Sequence, residues 1–385
     1  MSMKETLSSY WQKIQGELFL FLEEAVGHLT SAHKQLIIVL DMVRIEAFVR
    51  HWQGLPGRPA AERAALARAF VAKAVLNLPT TRMLIERLEA DKTLRRLCGW
   101  SRPSEVPHES TFSRAFAEFA DSKLPSRLHE ALIKETHEDR LVGHISRDST
   151  EIEGREKPQK IESPETAATM EKPKKKRGRP KKGEEAPPKE PRRIEKQVAG
   201  MSLSAMLADL PQVCDVGCKR NAKGHQETWI GYKLHIDTAD GDIPISCVLT
   251  SASVHDSQVA IPLATMTAAR VTSCYDIMDS AYDAPEIRQH SRSIGHVPII
   301  DINPRRNTEL KAELAQEEKR LALIGHHMAE DVRYNERSAA ERVNSNLKDN
   351  HGGRTVRVRS PEKVMCHLMF GILTISVAQI LRLVT

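Results

Sequence analysis

The chain has 385 residues, 57 Lys and Arg against 51 Asp and Glu, and a net charge of +6. That length accommodates two domains with sizeable cores. Its six scattered cysteines argue against a disulfide framework and fit a reducing cytoplasm, and the first ten residues lack a signal-peptide pattern.

Taken in order, residues 1–135 read as a helical domain. Apolar residues recur at helical spacing in Leu18–Val26, Leu36–Val49 and Leu66–Leu78. Ser110 is the expected N-cap of a further helix. Two readings stay open: a helix-turn-helix that holds DNA, or a plain bundle with a packing role.

A second domain is expected over 136–385. It opens on a short strand, Leu141 to Thr150, that ends in a polar turn. It is then interrupted at about 154–196, where Lys, Glu and Pro dominate and apolar surface is too sparse to order the segment. Eight basic residues and no acid lie between Lys172 and Lys182; without them the net charge would be −2. Such a block attracts polyanions. Within it Lys176, Arg177, Gly178, Arg179, Pro180, Lys181 and Lys182 resemble an AT-hook. A narrow Gly-Arg-Pro segment suits the minor groove of A·T-rich DNA. A solvated basic linker is the plainer alternative.

The core resumes with two strands, from Trp229 and from Ile243, joined by a turn at Ala239–Asp242. A helix follows at about Asp256–Arg270, with Asp256 as its cap rather than a general base. A strand then leads to Asp279. Tyr282 reads as a packing ring and Asp283 as another helix cap. After these come a helix near Ala284–Ser291, a strand from His296, a helix over Leu310–Leu323 and a terminal helix from Pro361. The apolar run 364–384 is interrupted by His367, Gln379 and Arg382, which favours a buried helix over a membrane span. Cys214, Cys218 and His225 lack an obvious fourth ligand and have loose spacing, so zinc is not expected.

The chemistry concentrates between Tyr334 and Lys348. On one helix at about 100° per residue, Tyr334, Arg337, Glu341 and Lys348 share a stripe about 60° wide. Ala339, Ala340, Val343 and Leu347 lie on the opposite face. A Glu between Arg and Lys is usually a solvated face with weak ion pairs. Two upstream aspartates, Asp148 and Asp279, change the balance, because each sits at or near a strand end. With Glu341 they form a possible three-carboxylate cluster, which needs a counter-charge. Mg²⁺ or Mn²⁺ suits such hard oxygen donors. Two such ions can clamp the attacking and leaving oxygens of a phosphoryl displacement.

Asp148, Asp279 and Glu341 resemble the DDE triad of bacterial insertion-sequence transposases, and the stripe matches the YREK signature of their RNase H-like group at all four positions. The stretches 144–152, 229–235 and 252–257 resemble the same group, as does the N-terminal segment around 97–113. The resemblance implies an α/β fold, an RNase H-like mixed sheet flanked by helices, preceded by the all-helical domain. The order strand, strand, strand, helix, strand, helix, strand, helix agrees with it. It further implies a DNA transposase that cuts element ends with two metal ions and transfers the strand into target DNA. Asp148, Asp279 and Glu341 would be its catalytic metal ligands. Tyr334, Arg337, Lys348 and the residues 176–182 would contact DNA. The expected partners are double-stranded DNA, at element ends and target, and further copies of the chain when DNA is bound, with no membrane; the expected location is the cytoplasm, at the nucleoid. A non-catalytic DNA-binding relative and a nuclease without strand transfer are the alternatives. One departure stands out. The gap from Asp279 to Glu341 is about 60 residues, too short for the large β-rich insertion of some members, which puts a hairpinned-end pathway in doubt.

Overall fold

Strand β1 (Leu141–Glu153) sits inside the sheet, with antiparallel β3 (Gln226–Ala239) on one side and parallel β5 (Thr272–Met278) on the other. The computed structural model describes residues 9, 12, 17–49, 61–159, 191–220 and 224–383. β4 (Ile243–Ser251) pairs antiparallel with β3, and β6 (Val297–Ile300) pairs parallel with β5. The order β4-β3-β1-β5-β6 is that of an RNase H-like sheet. β2 (Asp215–Arg220) pairs with the start of β3. The sequence pattern did not reveal β2, because Asp-Val-Gly-Cys-Lys-Arg has too little apolar alternation to mark a strand.

The turn between β3 and β4 falls where expected. Gly241 and Asp242 both have positive φ, and Asp240 reaches back to accept hydrogen bonds from the amides of Gly143 and His144. Gly231 has a different reason. It lies where β3 passes from β1 to β2, and a Cβ there would stand 2.1 Å from the Ile152 carbonyl oxygen. No side chain fits that approach.

Helices cover both faces. On one lie α8 (Arg193–Val198), α9 (Leu203–Asp209), α10 (Ser257–Ala268) and α11 (Pro285–Ser293), sharing apolar clusters with β4, β5 and β6. On the other lie α14 (Ser338–Asn350) and α15 (Pro361–Arg382). Between β6 and α14 run α12 (Thr308–Ile324) and α13 (Ala329–Tyr334). The stretch from Asp279 to Glu341 therefore contains one four-residue strand, β6, and no β-rich domain.

Among the described residues the N-terminal helices are α1 (Phe19–Val26), α2 (Ser31–Val43), α3 (Arg63–Val75), α4 (Thr81–Ala90), α5 (Lys92–Cys98), α6 (Glu109–Asp121) and α7 (Leu124–His137). They share one core with the rest of the chain. Phe70 of α3 packs on Phe112 and Phe116 of α6, and also stacks on Phe370 of α15 at 5.9 Å. His129 of α7 is fully buried, its Nε2 3.0 Å from the Pro244 carbonyl of β4 and 3.1 Å from Ser376 Oγ of α15. α15 is long and apolar enough to cross a membrane, yet most of it is buried in this core.

Several local expectations are corrected. His108, not Ser110, caps α6, its ring nitrogen accepting from the Ser110 amide at 3.2 Å. Asp283 caps no helix; its carboxylate holds Arg288 and the Asn303 amide instead. Both ends of the supposedly unordered segment 154–196 are tied down. Glu156 accepts hydrogen bonds from the Tyr232 hydroxyl and the Ser360 amide, and Ile194 of α8 is buried against α10 and β5. The AT-hook-like residues Lys176–Lys182 lie outside the described residues.

Candidate active site

The site begins with the pairing of β1 and β5. Their parallel register sets Arg147 opposite Met278, so the next residues, Asp148 and Asp279, stand side by side as β5 ends. Asp279 terminates the strand by capping a 3-10 turn at Ser280–Tyr282, its Oδ1 accepting from the Ala281 amide at 3.0 Å. Burial first, and then Asp279 and Asp256, push the Asp148 carboxyl up to about 6 against the pull of the Ser149 amide and Arg337. Asp279 is raised for the same reasons, burial first and then Asp256. Like charges gathered in a half-dry site disfavour the ionised form.

The ground beneath this pair is rigid. Arg147 and Asp237 form a bidentate ion pair, both bonds 2.7 Å, with side chains 1 % and 0 % exposed. Thr267 of α10 donates to the same carboxylate at 2.6 Å. The pair thus ties β1, β3 and α10 together one residue before Asp148.

Asp256 was expected to cap α10. It makes no such cap; His255 accepts the Ser257 amide instead. The Asp256 carboxylate turns inward, where Ser149 Oγ and Lys233 Nζ donate to its Oδ1 at 2.9 and 3.1 Å. Short-range spacing cannot reveal this, since Ser149 and Asp256 are far apart in the chain. Tyr282 is a buried ring, as read, but its hydroxyl has no hydrogen-bond partner among the described residues and lies in the field of Asp256 and Asp148.

The stripe from Tyr334 to Lys348 is not one uninterrupted α-helix. α13 ends at Tyr334, a 3-10 turn covers Asn335–Arg337, and α14 begins at Ser338. The tighter turn breaks the 100° count used above. The apolar face holds nonetheless: Ala339, Ala340, Val343 and Leu347 are buried. The Arg337 carbonyl accepts from Ser146 of β1 at 2.7 Å, and Asn344 Nδ2 donates to Asp148 Oδ2 at 3.1 Å. Asn344 went unremarked in the sequence, although it lies one turn beyond Glu341 on nearly the same stripe.

Each stripe side chain has a protein partner. Tyr334 donates to Asp301 at 2.5 Å. Arg337 pairs with Glu341 at 2.7 Å and lies 5.7 Å over the Tyr334 ring. Lys348 donates to Glu151 at 2.6 Å, and Lys219 pairs with the same carboxylate. Burial would raise Glu151, but these two lysines win and hold it down to about 2. The structure therefore brings Asp148 and Asp279 together with Asp256 and Asn344, while the Glu341 carboxylate turns to Arg337 and is 51 % exposed. Among the described residues no group of three or more His, Cys, Asp and Glu is arranged to hold a metal ion. The donors at the Asp148–Asp279 pair still fit one chemically: hard oxygens, raised by burial and by neighbouring carboxylates, which a divalent cation would relieve.

Two family models match the chain, a transposase DDE domain over residues 211–377 and a transposase domain (DUF772) over 24–118. The chain belongs to the insertion-sequence DDE transposases. The DDE match contains Asp279 and Glu341 but begins after β1, so Asp148 rests on its place in the sheet. The second match runs over the N-terminal helices α1 to α6. Neither the curated proteins nor the solved structures gave a match. The protein is a transposase, and DNA is the partner its family implies.

Two consequences follow for this DNA-processing enzyme. The first concerns the stripe. Arg337→Ala and Lys348→Ala should each weaken binding to element-end DNA and slow cleavage, if these cations exchange Glu341 and Glu151 for phosphates. Melting temperature should hardly move for Arg337→Ala, because a partly exposed ion pair contributes only about 0–1 kcal/mol. Wild-type cleavage in both variants would return the stripe to a solvated face. The second concerns pH. Asp148 is raised from its ordinary value of 3.8 to about 6. Its favourable contribution is fully present below about pH 4 and lost as pH rises towards 6. Without divalent cations, Asp148→Asn should therefore melt higher than wild type above pH 6, and the gap should close below pH 4. Melting curves from pH 3.5 to 8 in chelator test this; equal curves throughout would contradict the raised carboxyl.

Proposed function

We propose that this transposase cuts the ends of its element by metal-dependent phosphodiester hydrolysis and joins the freed 3′-hydroxyl to target DNA. The observation that carries the reading is the adjacency of Asp148 on β1 and Asp279 just past the end of β5, each one residue beyond the paired Arg147 and Met278. These two would hold Mg²⁺ or Mn²⁺, with Glu341 completing the site for two ions once it leaves Arg337. Bound there, the ions would supply Lewis-acid activation of the attacking and leaving oxygens. The residues of the chain do the rest. Asn344 orients Asp148. Arg337 and Lys348 bind phosphates beside the scissile bond, and Tyr334 stacks or hydrogen-bonds at its edge.

The region 1–135 would help hold the element end, as one body with the catalytic region through their shared core. The protein would act as a homo-oligomer on DNA, in the cytoplasm at the nucleoid. The decisive assay offers duplex DNA with an element end, Mg²⁺ and a supercoiled plasmid. Cleavage with joined product supports the proposal. Cleavage without joining supports a nuclease, and binding without either supports a non-catalytic DNA-binding relative, in which the Arg337–Glu341 pair stays closed.

The basic block would add non-specific grip, with Lys176–Lys182 in the minor groove. Deleting 172–182 should weaken DNA binding and flatten its salt dependence, each lost phosphate contact reducing the log–log slope by about 0.9. An unchanged slope across a salt series would mark the block as a solvated linker.

A further inference from the structure

Two stretches singled out in the sequence, 229–235 and 252–257, have no part in the mechanism above. They meet behind Asp148. Lys233 of β3 reaches across to donate to the Val254 carbonyl at 2.9 Å and to Asp256 Oδ1 at 3.1 Å. Ser149, the residue after Asp148, donates to the same oxygen at 2.9 Å. His235 Nδ1 lies 3.8 Å from it. Lys233 and Asp256 are largely shielded, their side chains 15 % and 21 % exposed. Oδ2 of Asp256 has no hydrogen bond to another described residue, and the carboxylate lies in the field of both Asp148 and Asp279.

We propose that Lys233 and Asp256 form a charge-balancing pair behind the two catalytic aspartates, with Asp256 a positioning residue that lets them take up a divalent cation. The inference rests on the metal-dependent reading above. Its logic is electrostatic. Three carboxylates in a half-dry site repel one another strongly, and Lys233 offsets one of them. Conversely, without Asp256 the Lys233 ammonium, tied to the carboxylate that acts on both aspartates, would be uncompensated and would repel an incoming cation. His235 adds no reliable charge near neutrality, because burial lowers it to about 4 although Asp256 pulls it up. The tie through Ser149 also fixes the backbone that carries Asp148. Partners in the outer shell of a metal site commonly change affinity tenfold to hundredfold.

The test is calorimetric titration of Mn²⁺ into the full chain, with melting temperatures measured beside it. Asp256→Asn leaves Lys233 unbalanced and should weaken Mn²⁺ binding about tenfold to hundredfold. Lys233→Met should bind at least as tightly as wild type. The double variant Asp256→Asn with Lys233→Met should return to within about threefold of wild type, because the local charge is restored. Wild-type affinity in Asp256→Asn, or a double variant as weak as Asp256→Asn, would overturn the pairing. So would weakened binding in Lys233→Met, which keeps the arm decisive even if Asp256→Asn folds poorly. A wild-type chain that takes up no Mn²⁺ would instead overturn the metal-dependent reading, and the pairing with it.

Discussion

Asp148→Asn and Asp279→Asn should each reduce cleavage of element-end DNA roughly a thousandfold or more with Mg²⁺ present, while leaving DNA binding close to wild type. On the proposed reading each variant removes a ligand of ions that would supply several kcal/mol of transition-state charge stabilisation, and about 4 kcal/mol corresponds to a thousandfold in rate. Binding survives because neither aspartate faces the phosphates as a cation would. Burial and neighbouring carboxylates disfavour the ionised state of both, Asp279 and Asp256 acting on Asp148 and Asp256 and Asp301 on Asp279, so each Asn variant removes an unfavourable charge in the metal-free protein. Lost activity should therefore accompany a fold at least as stable as wild type above pH 6. Glu341→Gln should also abolish cleavage, although its carboxylate is paired with Arg337. Cleavage rates, electrophoretic binding and melting curves on the same preparations separate these effects. Full cleavage by either Asn variant would remove that aspartate from the site.

Asp237→Ala should destabilise the protein by about 3–5 kcal/mol, the typical result of stranding one partner of a buried ion pair. Here the stranded group is Arg147, 1 % exposed and held in a bidentate grip. Thr267 loses its acceptor as well. Joint replacement, Arg147→Met with Asp237→Leu, should recover most of the loss, because buried pairs can often be exchanged for apolar contacts with little net change. Urea denaturation of wild type, single and double variants gives the comparison. A loss below about 1 kcal/mol for Asp237→Ala would mean that the pair is relaxed or wetted. Cleavage by the double variant then tells whether the pair also sets the position of Asp148, the adjacent residue on β1.

Much of the architecture was legible because it is written locally. Alternating apolar residues marked β3 and β4, and Asp-Gly-Asp marked their turn. Helical spacing marked the buried face of α14 through Ala339, Ala340, Val343 and Leu347. The same locality explains the errors. β2 carries too little alternation to signal a strand. The 3-10 turn at Asn335–Arg337 is a small change in helical pitch that composition does not announce.

Local pattern made Asp148, Asp279 and Glu341 candidates as residues that end a strand or share a helix face; Asp279 does follow the end of β5, but Asp148 lies within β1, which runs on to Glu153 because β3 pairs with it that far. Which of them meet was decided by packing between distant segments. The parallel register of β1 and β5 sets Asp148 beside Asp279. The inward turn of Asp256 depends on Lys233 and Ser149, neither of which is near it in sequence. Glu341 turned to Arg337, four residues away, because an ion pair one helical turn apart forms at short range. The N-terminal helices share their core with α15 because Phe70 and Phe370 each have an apolar face that only the other end of the chain could bury.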